Sequence, residues 1–133
     1  MTGIALVTGG TRGIGAAIAR SLKAAGWNVA SIYHGNDAAA ELFRDGTGIP
    51  VYKWDVAEEQ ACREGLARVE KELGPVSVLV NNAGIVNGST IQKFRLDKWK
   101  QILDVNLTGT FLGIQAVADL MIDAGGEIGR AHV

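Results

Sequence analysis

The chain has 133 residues, 47% of them apolar and 20% charged, with a formal net charge of -1. That composition excludes a disordered chain, which lacks the apolar residues for a core, and it gives no electrostatic pull toward nucleic acid or an anionic membrane. One domain of this size can bury roughly two thirds of the surface its unfolded form exposes.

In chain order, the first apolar run that fits a buried strand covers residues 4–7. A glycine-rich turn, Thr8-Gly9-Gly10-Thr11-Arg12-Gly13-Ile14-Gly15, follows it. The next helix is predicted to turn Ile14, Ile18 and Leu22 inward, with Gly15, Ala16 and Ala19 keeping it slim against a sheet, and to stop at Gly26. A second strand is expected over 29–33, then a short helix over 37–45 with Leu42 and Phe43 inward and an exit turn at 46–50. A weaker strand covers 51–54. The third helix carries Cys62, Leu66, Val69 and Leu73 on one stripe, with Glu59, Arg63, Glu70 and Lys71 opposite, and closes at Gly74-Pro75. The fourth strand spans 76–80.

The last element is the longest. Trp99, Leu103, Asn106, Thr110, Ile114, Val117 and Met121 follow a helical period, and a second line through Leu107, Phe111, Ala118 and Ile122 predicts cover on more than one side. Strands alternating with helices require right-handed crossovers, so the expected fold is an α/β, Rossmann-type doubly wound parallel sheet of order 3-2-1-4, lacking its later strands. Cys62 is alone, so no internal disulfide forms, and its place on the stripe points to inert packing. The Met-Thr-Gly start has neither a basic region nor a long apolar run, which suits a cytoplasmic protein.

A glycine-rich turn between a strand and a helix can aim main-chain amides and the helix N-terminus at a diphosphate. The spacing here is Thr-Gly-x-x-x-Gly-x-Gly. With Asp55-Val56 after the third strand, Asn81-Asn82-Ala83-Gly84 after the fourth, and Asn106 in Val-Asn-Leu-Thr-Gly, the turn resembles the ordered motifs of short-chain dehydrogenases/reductases. The match runs from Met1 to about Gly126. Gly35-Asn36-Asp37, the 51–56 segment and Leu73-Gly74-Pro75 resemble bacterial acetoacetyl-CoA reductases most, with 3-oxoacyl-[acyl-carrier-protein] reductases beside them.

The resemblance implies that Gly9, Thr11, Arg12, Gly13, Ile14 and Gly15 hold a dinucleotide, that Asp55 and Val56 contact its adenine, and that Asn82, Ala83 and Gly84 lie along its riboses. Asp55 could instead cap the third helix, and the asparagines could be turn formers. An NAD site commonly places a carboxylate about 20 residues beyond the glycine loop, to accept from the ribose 2'-hydroxyl. Here that region reads Tyr33-His34-Gly35-Asn36, and Arg12 offers a cation to a 2'-phosphate. NADPH is therefore expected over NAD, unless Asp37 swings into reach. His34 is read as an exposed turn residue.

Asn106 is the one catalytic candidate. On the predicted stripe its amide would be buried and would need partners. The resemblance implies that it helps seat a water in a proton relay and marks a break in the helix; a structural cap or kink is the alternative. The family's serine, tyrosine and lysine have no counterpart here, since Tyr33 and Tyr52 both precede the fourth strand and no Tyr-x-x-x-Lys follows it. The segment 1–126 is thus read as the N-terminal part of a single NAD(P)-binding domain, inactive alone. After a helix stop at Gly125-Gly126, residues 127–133 read as the translation of a sequencing-library adapter, ATC-GGA-AGA-GCA-CAC-GTC for the last six, and so as a non-native tail.

The parent implied is a homotetrameric reductase of a 3-oxoacyl thioester, most simply acetoacetyl-CoA, with no nucleic-acid, membrane or metal partner. Val86-Asn87-Gly88 replaces the Thr-Arg-Asp common in both reductase groups, which leaves other ketones open as substrates. A nucleotide-sensing Rossmann protein without catalysis is the reading from another class.

Overall fold

The computed structural model describes residues 3–86 and 88–123. Asn87, the helix stop at Gly125-Gly126 and the 127–133 tail lie outside the described residues. The elements run β1 (Ile4–Thr8), α1 (Gly13–Ala24), β2 (Asn28–Tyr33), α2 (Asp37–Thr47), β3 (Val51–Lys53), α3 (Glu59–Leu73) and β4 (Val76–Val80). A 3-10 turn (Ile91–Lys93) leads into α4 (Leu96–Leu103), a π-helical segment (Asp104–Thr108) and α5 (Gly109–Asp123).

The strands form one parallel sheet of order β3-β2-β1-β4. Alternation along β1 divides the core between two layers. Ile4 and Leu6 join Trp54, Leu66, Val69 and Val117 on the face covered by α3 and α5. Ala5 and Val7 join Ala16, Ala19 and Phe43 on the face covered by α1 and α2. Because both faces are covered, β1 is buried at every position, as a central parallel strand must be.

Four packing expectations are corrected. Ile14 is 75% exposed; the buried face of α1 is Gly15, Ala16 and Ala19, with Ile18 and Leu22 at its margin. Leu42 is equally exposed, and Phe43 is buried with Ala40 instead. Gly46 and Thr47 belong to α2, which ends at Thr47 with Gly48 as its cap, two residues beyond the expected end. In α5 the predicted stripe is buried at Val117 and packs on the core at Met121, but Ile114 is exposed and the other inward residues are Gly109 and Ala116.

One physical cause underlies the errors in α1 and α5. Small residues let a helix axis approach the sheet, and the larger apolar residues are then carried to the flanks. A Cβ on Gly109 would meet Cγ2 of Val56 at 2.9 Å, and one on Gly113 would meet Oδ1 of Asn81 at 3.1 Å. The stretch Leu96–Asp123 is long and apolar enough to cross a bilayer, yet α5 packs on β4 and α3.

Candidate dinucleotide site

The site lies at the carboxyl ends of β1, β2 and β4, where the chain leaves the sheet for α1, α2 and the segment after Val80. A parallel sheet forms a crevice there because neighbouring crossovers depart to opposite faces.

The turn between β1 and α1 is built around close approach. Gly9 and Gly13 have φ of 61° and 53°, the left-handed region that a side chain disfavours. A Cβ on Gly15 would collide with the Gly9 carbonyl oxygen, so the first turn of α1 folds directly onto the loop. Helix α1 starts at Gly13, and its first-turn amides have no partner within the helix. Its macrodipole adds partial positive charge at the same place, and no acidic side chain lies in that turn to cancel it.

Thr8 ties this loop to the end of β4. Its hydroxyl accepts from the main-chain N–H of Asn82 and of Ala83, each at 3.0 Å, and donates to the Val80 carbonyl at 3.4 Å. The Asn82 carboxamide donates to the Gly9 carbonyl at 3.2 Å. Asn82 is therefore spent partly on structure, but through the distant Gly9 loop and not through the local turn expected of it.

These walls enclose a cleft of about 290 Å³ that includes Gly9, Thr11, Arg12, Gly13, Tyr33 and Asn82, with Ala83 and Gly84 at one end. A second chamber, about 400 Å³, shares Arg12, Tyr33 and Gly84 with it and extends to Trp54, Asp55, Val56 and Val105. The structure thus brings most of the expected residues to one continuous cavity. Gly15 lies behind it, buried, and Ile14 points to solvent on the first turn of α1. His34, expected to be a bystander, lines both chambers with Gly35. Its position immediately after the strand end was the available signal.

Asp55 does not cap α3. Its Oδ1 accepts from the Ala57 N–H at 2.9 Å, a local turn, while Glu58 occupies the cap position without a side-chain bond. Asp37 is not free to swing: it pairs with Lys53 at 3.0 Å, and both this ion pair and a hydrogen bond from Tyr33 hold its carboxyl below the usual range. Burial, followed by the Asp37 carboxylate, pushes the Tyr33 phenol up.

Asn106 sits in the π-helical segment, so the expected helix break is present, but the residue is exposed rather than buried. The wider turn aims its carboxamide at the strand-end segment after β4. Oδ1 accepts from the Ile85 N–H at 2.8 Å, and Nδ2 donates to the Ile85 carbonyl at 2.9 Å. Cys62 is buried in the core, and desolvation pushes its thiol up, which leaves it unreactive at neutral pH.

A cradle with amides converging at a helix start, a loop closed by a glycine contact and an adjoining chamber reaching Asp55 fits a dinucleotide, diphosphate on the loop and base in the chamber. Fold and site together define a Rossmann-type nucleotide-binding domain. The family model for short chain dehydrogenases matches residues 3–130, and the chain belongs to the short-chain dehydrogenase/reductase family. A nicotinamide dinucleotide coenzyme goes with that membership.

The chain is 57% identical over 111 residues to an acetoacetyl-CoA reductase of Shinella zoogloeoides, covering 84% of this chain and 46% of that protein. It is 40% identical over 126 residues to a 3-alpha-(or 20-beta)-hydroxysteroid dehydrogenase of Mycobacterium tuberculosis, covering 92% and 47%. A doubly substituted short-chain dehydrogenase/reductase of Serratia marcescens superposes with a TM-score of 0.83 at 30% identity, over 90% of this chain and 51% of that one. The chain spans about half the length of the curated relatives it matches.

Proposed function

We propose that this chain is the coenzyme-binding half of an NADPH-dependent reductase that converts the ketone of a 3-oxoacyl thioester, acetoacetyl-CoA above all, to the 3-hydroxy product. The glycine-loop amides and the α1 N-terminus hold the diphosphate, and Arg12 pairs with the 2'-phosphate beside Tyr33. Asp55 and Val56 border the adenine. Asn82, Ala83 and Gly84 follow the riboses, and Asn106 fixes Ile85 while its own segment helps seat a water. When bound, the nicotinamide supplies the hydride that reaches the ketone carbon.

The cradle at residues 8–15 is the observation that carries this reading, and the relatives' names support its substrate half. On the same reading the 133 residues alone transfer no hydride, because the family's serine, tyrosine and lysine have no counterpart in them. The whole enzyme is cytoplasmic and homotetrameric, and residues 127–133 are not native to it. Resequencing the coding DNA across this point tests the tail. An acetoacetyl-CoA assay of the complete reading frame, following NADPH and NADH oxidation separately, tests the activity; no turnover of either coenzyme contradicts it.

The steroid dehydrogenase at 40% identity and the departure at Val86-Asn87-Gly88 favour a second reading, reduction of another ketone. Val86 is 97% exposed, so its side chain is open to whatever covers the site.

A further inference from the structure

The carboxylate nearest the place where NAD sites carry one is Asp37, in the first turn of α2. Tyr33, with which it shares a hydrogen bond, lines the coenzyme cleft together with His34 and Gly35. Asp37 itself lies just outside the cleft lining, behind Tyr33, and unpaired there it would oppose a 2'-phosphate dianion. It is not unpaired. Lys53, at the end of β3, donates to Oδ1 at 3.0 Å and lies 3.4 Å from Oδ2, so one cation spans both oxygens. Lys53 reaches Asp37 because β3 pairs in parallel with β2, with Tyr33 opposite Lys53 in the register.

Resting on the coenzyme reading above, we propose that Lys53 sets the preference for NADPH as a positioning residue, by holding and neutralising the Asp37 carboxylate beside the end of β2. The pair is solvent-exposed, at 52% and 64% of the two side chains, so it contributes little to folding stability. Its consequence is electrostatic and local. With Lys53 in place the Asp37 carboxylate is offset and Arg12 supplies a cation in the cleft lining, while Glu41, a second carboxylate that acts on Tyr33, is the same in every variant; without Lys53, Asp37 opposes a 2'-phosphate and is free to accept from a ribose hydroxyl.

The test is titration calorimetry of the protein expressed from the complete reading frame with NADP+ and NAD+, for the unaltered protein, Lys53→Met, Asp37→Asn and the double variant. The expected result is that Lys53→Met lowers the ratio of NADP+ to NAD+ affinity about three- to tenfold, in line with one nearby charge in a solvated site. Adding Asp37→Asn restores the ratio, and Asp37→Asn alone leaves it at or above its starting value. An unchanged ratio in Lys53→Met overturns the proposal while leaving the coenzyme site intact. A fall that Asp37→Asn does not rescue also overturns it, since Lys53 would then act on the phosphate directly. If the unaltered chain binds neither coenzyme, the site reading itself fails and this inference with it.

Discussion

The Asn106 carboxamide spans the main chain of Ile85 like one rung of a sheet, accepting its N–H at 2.8 Å and donating to its carbonyl at 2.9 Å. Among Asn, Asp as its carboxylate and Ala, only the amide both donates and accepts. Asn106→Asp keeps the acceptor but sets a carboxylate against the Ile85 carbonyl, and Asn106→Ala loses both bonds. Each is expected to cost about 1–2 kcal/mol in urea unfolding, with Asp no better than Ala. An Asp variant as stable as the unaltered chain would remove this role.

Thr8 is 5% exposed, and its hydroxyl satisfies two N–H groups on another strand's end. Thr8→Val preserves shape and leaves the Asn82 and Ala83 amides unpaired, at an expected cost of about 2–4 kcal/mol; Thr8→Ser costs much less. Denaturant melts of the two variants check this, and equal losses would point to packing rather than the hydroxyl.

The two loop glycines separate strain from collision. At Gly13 an added Cβ meets nothing within 4 Å, so Gly13→Ala carries only the backbone penalty of its positive φ, about 1 kcal/mol. At Gly15 the Cβ strikes the Gly9 carbonyl, so Gly15→Ala displaces the loop. Urea unfolding is expected to show only that small loss for the first change, and NADP+ affinity measured by calorimetry is expected to fall by more than a hundredfold in the second.

Much of this was legible in the chain itself, because glycine position and strand-end residues are local signals. The four strands read as short apolar runs, and Thr8 through Gly15 pointed to a cradle because its glycines fall between a strand and a helix. What stayed hidden was which helix face meets the sheet. The slim face of α1, Gly15, Ala16 and Ala19, was legible and is buried, but Ile14, Leu42 and Ile114 were expected inward because large apolar residues usually mark the buried stripe, whereas close helix approach selected Ala40 and Ala116 in α2 and α5. Contacts between distant residues were hidden too. Thr8 with Asn82 and Lys53 with Asp37 come together through strand pairing, which no local pattern encodes.

The outward residues Leu107, Phe111 and Ile114 leave an apolar band along one helix, and β4 is the edge of the sheet among the described residues. Such surfaces associate. The 133-residue chain is expected to self-associate or pack loosely, and Phe111→Glu to reduce association in sedimentation velocity. A monodisperse chain with a sharp cooperative melt would contradict the expectation.

Tyr52 is buried against α3, with its hydroxyl donating to Glu72 Oε2 at 2.5 Å. Desolvation first, then this bond, pushes its phenol up to about 12. Its neutral form therefore stabilises the fold fully below the unfolded value of 10.0, and that contribution is lost as pH rises from there through about 12. Phenolate absorbance should show Tyr52 ionising together with alkaline unfolding, and Tyr52→Phe should flatten that limb of the stability curve.

The central claim is that the turn at residues 8–15 receives a dinucleotide's diphosphate. Amide-resolved NMR of the protein expressed from the complete reading frame, titrated with NADP+, tests it most directly. The account predicts the largest shifts at the N–H groups of Gly13, Ile14 and Gly15, with smaller ones at Asp55 and Ala83; binding that leaves those three unmoved would contradict it.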